Sequence, residues 1–191
     1  MPLKIIEHIF QGLDATLLEK ITEVVYLRTL SKGEYFLKEG QMNSEVAFVY
    51  QGLLQSFCNK DAEEITTYLA GPGKIAISLS SFLTQSPSKE NIRALSESSI
   101  ACISKESFSK LIEQDSSFKQ FYIATLEHQI ICIEESRRDF ITLSAQERYI
   151  KLLRDEMDVL QMFPAKYIAA TLGITERQLS RIRKSILKQK L

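Results

Sequence analysis

No stretch of the chain approaches the roughly 18 consecutive apolar residues that a membrane-spanning helix needs. That excludes an integral membrane protein of this kind, and no membrane partner is expected. The first residues, Met1-Pro2-Leu3-Lys4-Ile5-Ile6-Glu7-His8, carry an acid and a histidine where a secretory leader would be apolar, so export by that route is not expected. Cysteine is scarce. Cys58, Cys102 and Cys132 are far apart and odd in number, and form neither a disulfide framework nor a C-x-x-C pattern, which fits a reducing cytoplasm. With His8 and His128 as the two histidines, a Cys/His metal site has little to build on, and no metal is expected. G-x-S-x-G, H-E-x-x-H and a glycine-rich phosphate loop are missing. Gly71-Pro72-Gly73-Lys74 lacks the spacing of such a loop and reads as a turn, so an enzyme is not expected.

What is there is an ordinary globular composition: 191 residues, 45% hydrophobic and 25% charged, enough for one large domain or two small ones. The formal net charge is +0, but it is unevenly spread. From Ala145 onward ten bases face five acids, so this end carries a net +5 and residues 1–144 a net −5. A basic end on a neutral protein points to a nucleic-acid partner held by that end, although a solvated basic helix would look the same on charge alone.

Residues 3–22 read as short helices, with Ile5, Ile6, Ile9 and Phe10 and then Leu13, Leu17, Leu18 and Ile21 near helical spacing. The texture then changes to short strands every 8–12 residues, with glycine at the turns. They fall at 24–30, 35–37, 45–50, 53–58, 64–69, 92–94 and 99–103, broken by Ser31-Lys32-Gly33, Gly52 and Gly71-Pro72-Gly73. This is the pattern of an antiparallel sandwich or barrel. A serine-rich loop is expected around Ser78–Ser88. Ser104 starts a helix with Phe108, Leu111 and Ile112 on one face, Asp115-Ser116 ends it, and a long helix runs over about 117–142. Along it Ile123, Leu126, Ile130, Ile133, Arg137 and Phe140 step by 3 and 4, a heptad seam with one arginine in it. The seam can pack on the sandwich, on a second copy of the chain, or on both. A strict a/d stripe is narrower than the usual intramolecular face and favours a dimer, in which Arg137 meets the partner or a carboxylate such as Glu134 or Asp139. Ser144-Ala145-Gln146-Glu147 is a capping box, so a new helix and a second domain begin there.

The chain after Pro164 is the most informative. Pro164 suits a first turn, Ala165–Leu172 is helical, Gly173 can close the helix left-handed, and Thr175 with Gln178 caps another. Helix, glycine turn, helix is the layout of a helix-turn-helix. Small Ala169 suits a close crossing, and Leu179 and Ile182 face the first helix. On the other side Arg177, Arg181 and Lys184 stand at i, i+4 and i+7, flanked by Gln178 and Ser180. Arginine reads guanine bidentately, glutamine can read adenine, and lysine neutralises phosphate. The expected DNA-binding set is Thr175, Glu176, Arg177, Gln178, Ser180, Arg181 and Lys184.

Glu39-Gly40, the Gly52 turn, Ile103-Ser104 and the run Tyr167–Ile182 make nearly the whole chain resemble the cyclic AMP receptor protein and fumarate–nitrate regulator (Crp/Fnr) superfamily of bacterial transcription regulators. The resemblance implies an α+β fold. A cyclic-nucleotide-binding-like β-roll sensor would span 1–115, a long dimerisation helix 116–143, and a helix-turn-helix DNA-binding domain 144–191. The last is winged-helix-like, its final wing short or missing since the sequence stops at Leu191. It also implies a homodimer, double-stranded DNA in the major groove, RNA polymerase as a further partner and a cytoplasmic location. The family's base-contacting positions fall on Glu176, Arg177 and Arg181, and only Arg181 keeps the usual residue type, so no operator sequence carries over.

The ligand cassette departs from the pattern. The family's ribose-binding glutamate falls on Ser78, its phosphate-binding arginine on Ser88, and its purine-contacting hydroxyl positions on Ile133 and Glu134. Lys89 is the one cation near the phosphate position, without arginine's fork. An effector pocket would therefore involve Ser78, Ser88, Lys89, Ile133 and Glu134, but cyclic AMP is not the expected ligand, and no cofactor is expected. The iron–sulfur sensors of the family need a cysteine cluster that this chain lacks, and neither histidine stands out as a haem ligand. The alternative function is a cyclic-nucleotide-fold regulatory or protein-interaction module that does not bind DNA.

Overall fold

A computed structural model describes residues 13–189. The helix signal over Ile5–Phe10, and His8 with it, lies outside these residues. The chain forms two compact units, one ending at Ala124 and one beginning at Thr125.

The first unit begins with α1 (Ala15–Val24), capped by the Asp14 carboxylate, which accepts from the Leu17 N–H at 3.0 Å. Eight strands follow: β1 (Tyr26–Leu30), β2 (Tyr35–Leu37), β3 (Glu45–Gln51), β4 (Leu54–Lys60), β5 (Glu63–Ala70), β6 (Ile75–Ala76), β7 (Asn91–Ala94) and β8 (Ser98–Ser104). They make two antiparallel four-stranded sheets, ordered β1-β8-β3-β6 and β2-β7-β4-β5. Alternation along the strands explains the layers. Ala47 and Val49 of β3, with Ile100 and Cys102 of β8, face the second sheet and join Leu54, Ile92 and Ala94 in the core between the sheets. Val46 and Phe48, with Ala101 and Ile103, face the other way. There they meet Leu17 and Ile21 of α1 and the buried Phe82, Leu111 and Phe118. The two middle strands are covered on both faces, which is why 46–49 and 100–103 read as unbroken apolar runs.

Gly52 turns β3 into β4 at φ +91, and a Cβ there would stand 2.3 Å from Ser98 Oγ and 2.5 Å from the Glu97 carbonyl. The expected serine-rich loop is corrected in part. Its first half is a short helix, α2 (Leu79–Thr84), held by burial of Ser81 and Phe82 rather than by a side-chain cap. Ser104 caps α3 (Lys105–Gln114) by accepting from the Ser107 N–H at 3.1 Å. Asp115 then caps α4 (Ser116–Thr142), accepting from the Phe118 N–H at 2.8 Å. At 27 residues, α4 is about 40 Å long.

In the second unit the Ser144–Glu147 capping box opens α5 (Ala145–Asp155). Then come α6 (Met157–Met162), α7 (Ala165–Thr171) and α8 (Glu176–Gln189). No helix among the described residues is long and apolar enough to cross a membrane.

Candidate nucleic-acid interface

The surface of the second unit follows from how α7 ends and α8 begins. At the end of α7, Gly173 takes φ +68. Its N–H donates to the Ala170 carbonyl at 3.0 Å, and the Ile174 N–H donates to the Ala169 carbonyl at 3.0 Å. This paired closure belongs to a helix stopped by a left-handed glycine. Two residues on, Thr175 Oγ1 accepts from the Gln178 N–H at 3.2 Å, and Gln178 Oε1 accepts from the Thr175 N–H at 2.8 Å. The capping box expected from the sequence is thus formed. α7 packs on α8, with Ile168, Ala169 and Leu172 buried on one helix and Leu179 on the other.

Burial of Leu179 fixes which side of α8 faces outward. Arg177, Arg181 and Lys184 are exposed, as are Thr175, Glu176, Gln178 and Ser180. The expected DNA-binding set is therefore exposed from the Thr175 cap to Lys184 of α8, with three cations along a stripe of two turns. Gln178 differs from its neighbours. Its carboxamide oxygen is engaged in the cap, and a bidentate adenine contact would need that oxygen together with the amide nitrogen. Arg183 turns away from the stripe and donates to Tyr149 Oη at 3.1 Å.

Sequence reasoning missed Arg148, which carries no periodic or capping signal. From the first turn of α5 it donates to the Leu143 carbonyl at 2.6 Å and to the Leu172 carbonyl at 2.9 Å. Its guanidinium carbon lies 4.6 Å from the Phe140 ring centroid.

The expected seam is an exposed stripe on α4. Ile123, Ile130, Ile133 and Phe140 are 45–64% exposed, and Leu126 is half-buried. Ile141, 71% exposed, lies on the same side and widens it. Arg137 is exposed within the stripe. Asp139, one of the carboxylates expected to meet it, is bonded instead to Lys151 of α5.

In the first unit, Ser78 and Ser88 come together. Ser88 Oγ donates to the Glu90 carbonyl at 2.8 Å and lies 3.0 Å from Ser78 Oγ, which can donate to it, while the Ser78 N–H donates to buried Asn43 Oδ1 at 2.7 Å. Both serines are buried, and Lys89 is exposed beside them. Ile133 and Glu134 are exposed positions of α4 in the second unit. Among the described residues no group of three or more His, Cys, Asp or Glu is placed to hold a metal ion. Cys102 is buried in the core, and desolvation there pushes the pKa of its thiol up to about 12.

Residues 27–115 match the family of cyclic nucleotide-binding domains. No curated protein matches the chain in sequence at a significant level. Among solved structures, FixK2 from Bradyrhizobium japonicum is similar with a TM-score of 0.73 and 16% identity, over 87% of this chain and 86% of that one. A CooA mutant from Carboxydothermus hydrogenoformans is similar with a TM-score of 0.70 and 16% identity, over 94% and 82%. The catabolite activator protein of Thermus thermophilus matches all of this chain and 88% of its own, at TM-score 0.59 and 18% identity. Residues 27–115 thus match the cyclic nucleotide-binding domain family, and the chain shares its fold with FixK2, the CooA mutant and the catabolite activator protein.

Proposed function

We propose that the chain is a dimeric, sequence-specific DNA-binding transcription regulator whose sensor domain does not answer to cyclic AMP. Residues 1–115 form the sensor, 116–143 the dimerisation helix and 144–191 the DNA-binding domain. Its place is the cytoplasm, and RNA polymerase is the further partner that such a role requires. The observation that carries the reading is the stripe Arg177, Arg181 and Lys184, exposed on the second helix of a helix-turn-helix whose other side is buried through Leu179. Phosphate contacts from such a stripe supply affinity, and arginine at a base edge supplies choice of sequence.

The test is selection of bound duplexes from a random pool, followed by two substitutions on the selected site. Arg181→Ala should cost about 1–3 kcal/mol per half-site and flatten the preference at one position in each. Lys184→Ala should weaken all sequences alike and lower the slope of log affinity against log salt by about one for each phosphate that the lysine neutralises. If Arg181→Ala leaves affinity and preference unchanged, α8 is not the reading helix, and a protein-interaction module without DNA binding becomes the better reading.

A further inference from the structure

Among the described residues of the second unit, Arg148 is the cation with donors on the carbonyl ends of two different helices. Leu143 follows the last turn of α4, and Leu172 ends α7. The carbonyls at those ends carry the negative pole of each helix, and the guanidinium meets both, at 2.6 and 2.9 Å. Its guanidinium carbon lies over the Phe140 ring, 4.6 Å from the centroid. The same ring backs the turn, because a Cβ on Gly173 would meet Phe140 Cε1 at 3.5 Å. Phe140, Leu143, Leu172 and Gly173 thus converge on one side chain. A lysine would hold this node less firmly, because its ammonium lacks the rigid planar fork that fixes the direction of both bonds. Phe140 is still 53% exposed on the apolar stripe of α4, so the ring is shared between the node and the seam.

We propose that Arg148 and Phe140 are positioning residues. They lock the helix-turn-helix to the end of the long helix and so set the distance between the half-sites that the protein accepts. The proposal rests on the reading of the chain as a dimeric DNA-binding protein. Two reading helices locked to a common stem can both engage only where the half-sites are correctly phased. Helices on a loose joint would tolerate several spacings, at some loss of affinity for each.

Arg148→Met tests this. It keeps an unbranched stem over Phe140 and removes Nε, a buried donor with no acceptor among the described residues, so the unit can keep its fold. Phe140→Leu is the second variant, apolar on the stripe but without the ring, and sedimentation must show both variants dimeric like the wild type before their spacing preference is read. Binding is measured to a single half-site, to the selected full site, and to full sites with one base pair added to or removed from the spacer, a shift of about 3.4 Å. In the wild type, changing the spacer should forfeit the avidity of the second half-site, about a hundredfold. In Arg148→Met and Phe140→Leu, half-site binding should be unchanged and the native full site weakened by about tenfold, with the altered spacers bound nearly as well as the native one. Retention of the wild-type spacing preference in both variants would overturn the proposal. So would a loss of half-site binding equal to the loss on the full site, since Arg148 would then only hold the helix-turn-helix together. A wild type that gains nothing from a second half-site would overturn the dimeric DNA-binding reading itself, and the proposal with it. That outcome shows in the wild type, before any variant is compared.

Discussion

Ser78 and Ser88 stand where the sequence resemblance places the two charged ligands of a cyclic nucleotide, and each satisfies the other. Their hydroxyls are 3.0 Å apart and both are buried; Ser88 Oγ also bonds the Glu90 carbonyl and N–H, and Asn43 Oδ1 accepts from the Ser78 N–H. A cyclic phosphate seated there would give up its water without meeting a cation, and an uncompensated buried charge costs several kcal/mol. Lys89 is exposed rather than turned into the network. Calorimetry with cyclic AMP and with cyclic GMP should therefore show no binding at micromolar concentration. Heat of micromolar binding from either nucleotide would mean that Lys89 or another cation swings in, and that the serine pair is a site rather than a closed corner.

At the scale of elements, what could be read from the sequence was whatever neighbouring residues settle among themselves. Ser144 with Glu147, Thr175 with Gln178, and Gly173 at φ +68 are complete within four residues, and all three signals correspond to observed geometry. The candidate DNA face was legible for the same reason, since caps at both ends of the turn phase α8. α2, β6 and the role of Arg148 were not legible. Phe82 and Ser81 hold α2 by packing on residues far away in sequence, β6 is two residues long, and Arg148 reaches a carbonyl 24 positions on. Asp115 shows how much one junction can carry. It caps α4 and binds Lys20 of α1, and these interactions, Lys20 first and then the Phe118 N–H, hold its carboxyl below the usual value. The charged form is thus favoured in the folded state. Its stabilisation is fully present above the unfolded value of about 3.9 and is lost as pH falls through the lower folded value. Thermal unfolding between pH 7 and pH 3 should show the loss in the wild type. Lys20→Met should unfold at lower temperature at pH 7 and fall less steeply on acidification. Parallel pH profiles for the two proteins would show that the ion pair adds nothing.

For the molecule as a whole, the open question is the apolar stripe of α4. Ile123, Ile130, Ile133, Phe140 and Ile141 are 45–71% exposed on one chain, and each such side chain gains about 1.5–3 kcal/mol when fully buried. Soluble monomers rarely leave a stripe of this kind open along a helix. A second copy related by a two-fold axis offers the same stripe in return, so the surface is its own complement. Arg137 is the opposing element. It stands on the stripe between Ile133 and Phe140, while the nearby acids Glu135 and Asp139 are engaged with Arg138 and Lys151. In a dimer two such arginines meet across the axis, which weakens the pairing while fixing its register. Leu126→Asp with Ile130→Asp should therefore give monomers that keep half-site binding and lose the gain from the full site. Arg137→Leu should do the reverse and tighten the dimer. Sedimentation at micromolar concentration reads both. A wild type that sediments as a monomer there sinks the dimer. A wild-type dimer that Arg137→Leu leaves no tighter would mean that the partner's Glu134 already neutralises the arginine, and that the charge serves the pairing instead of limiting it.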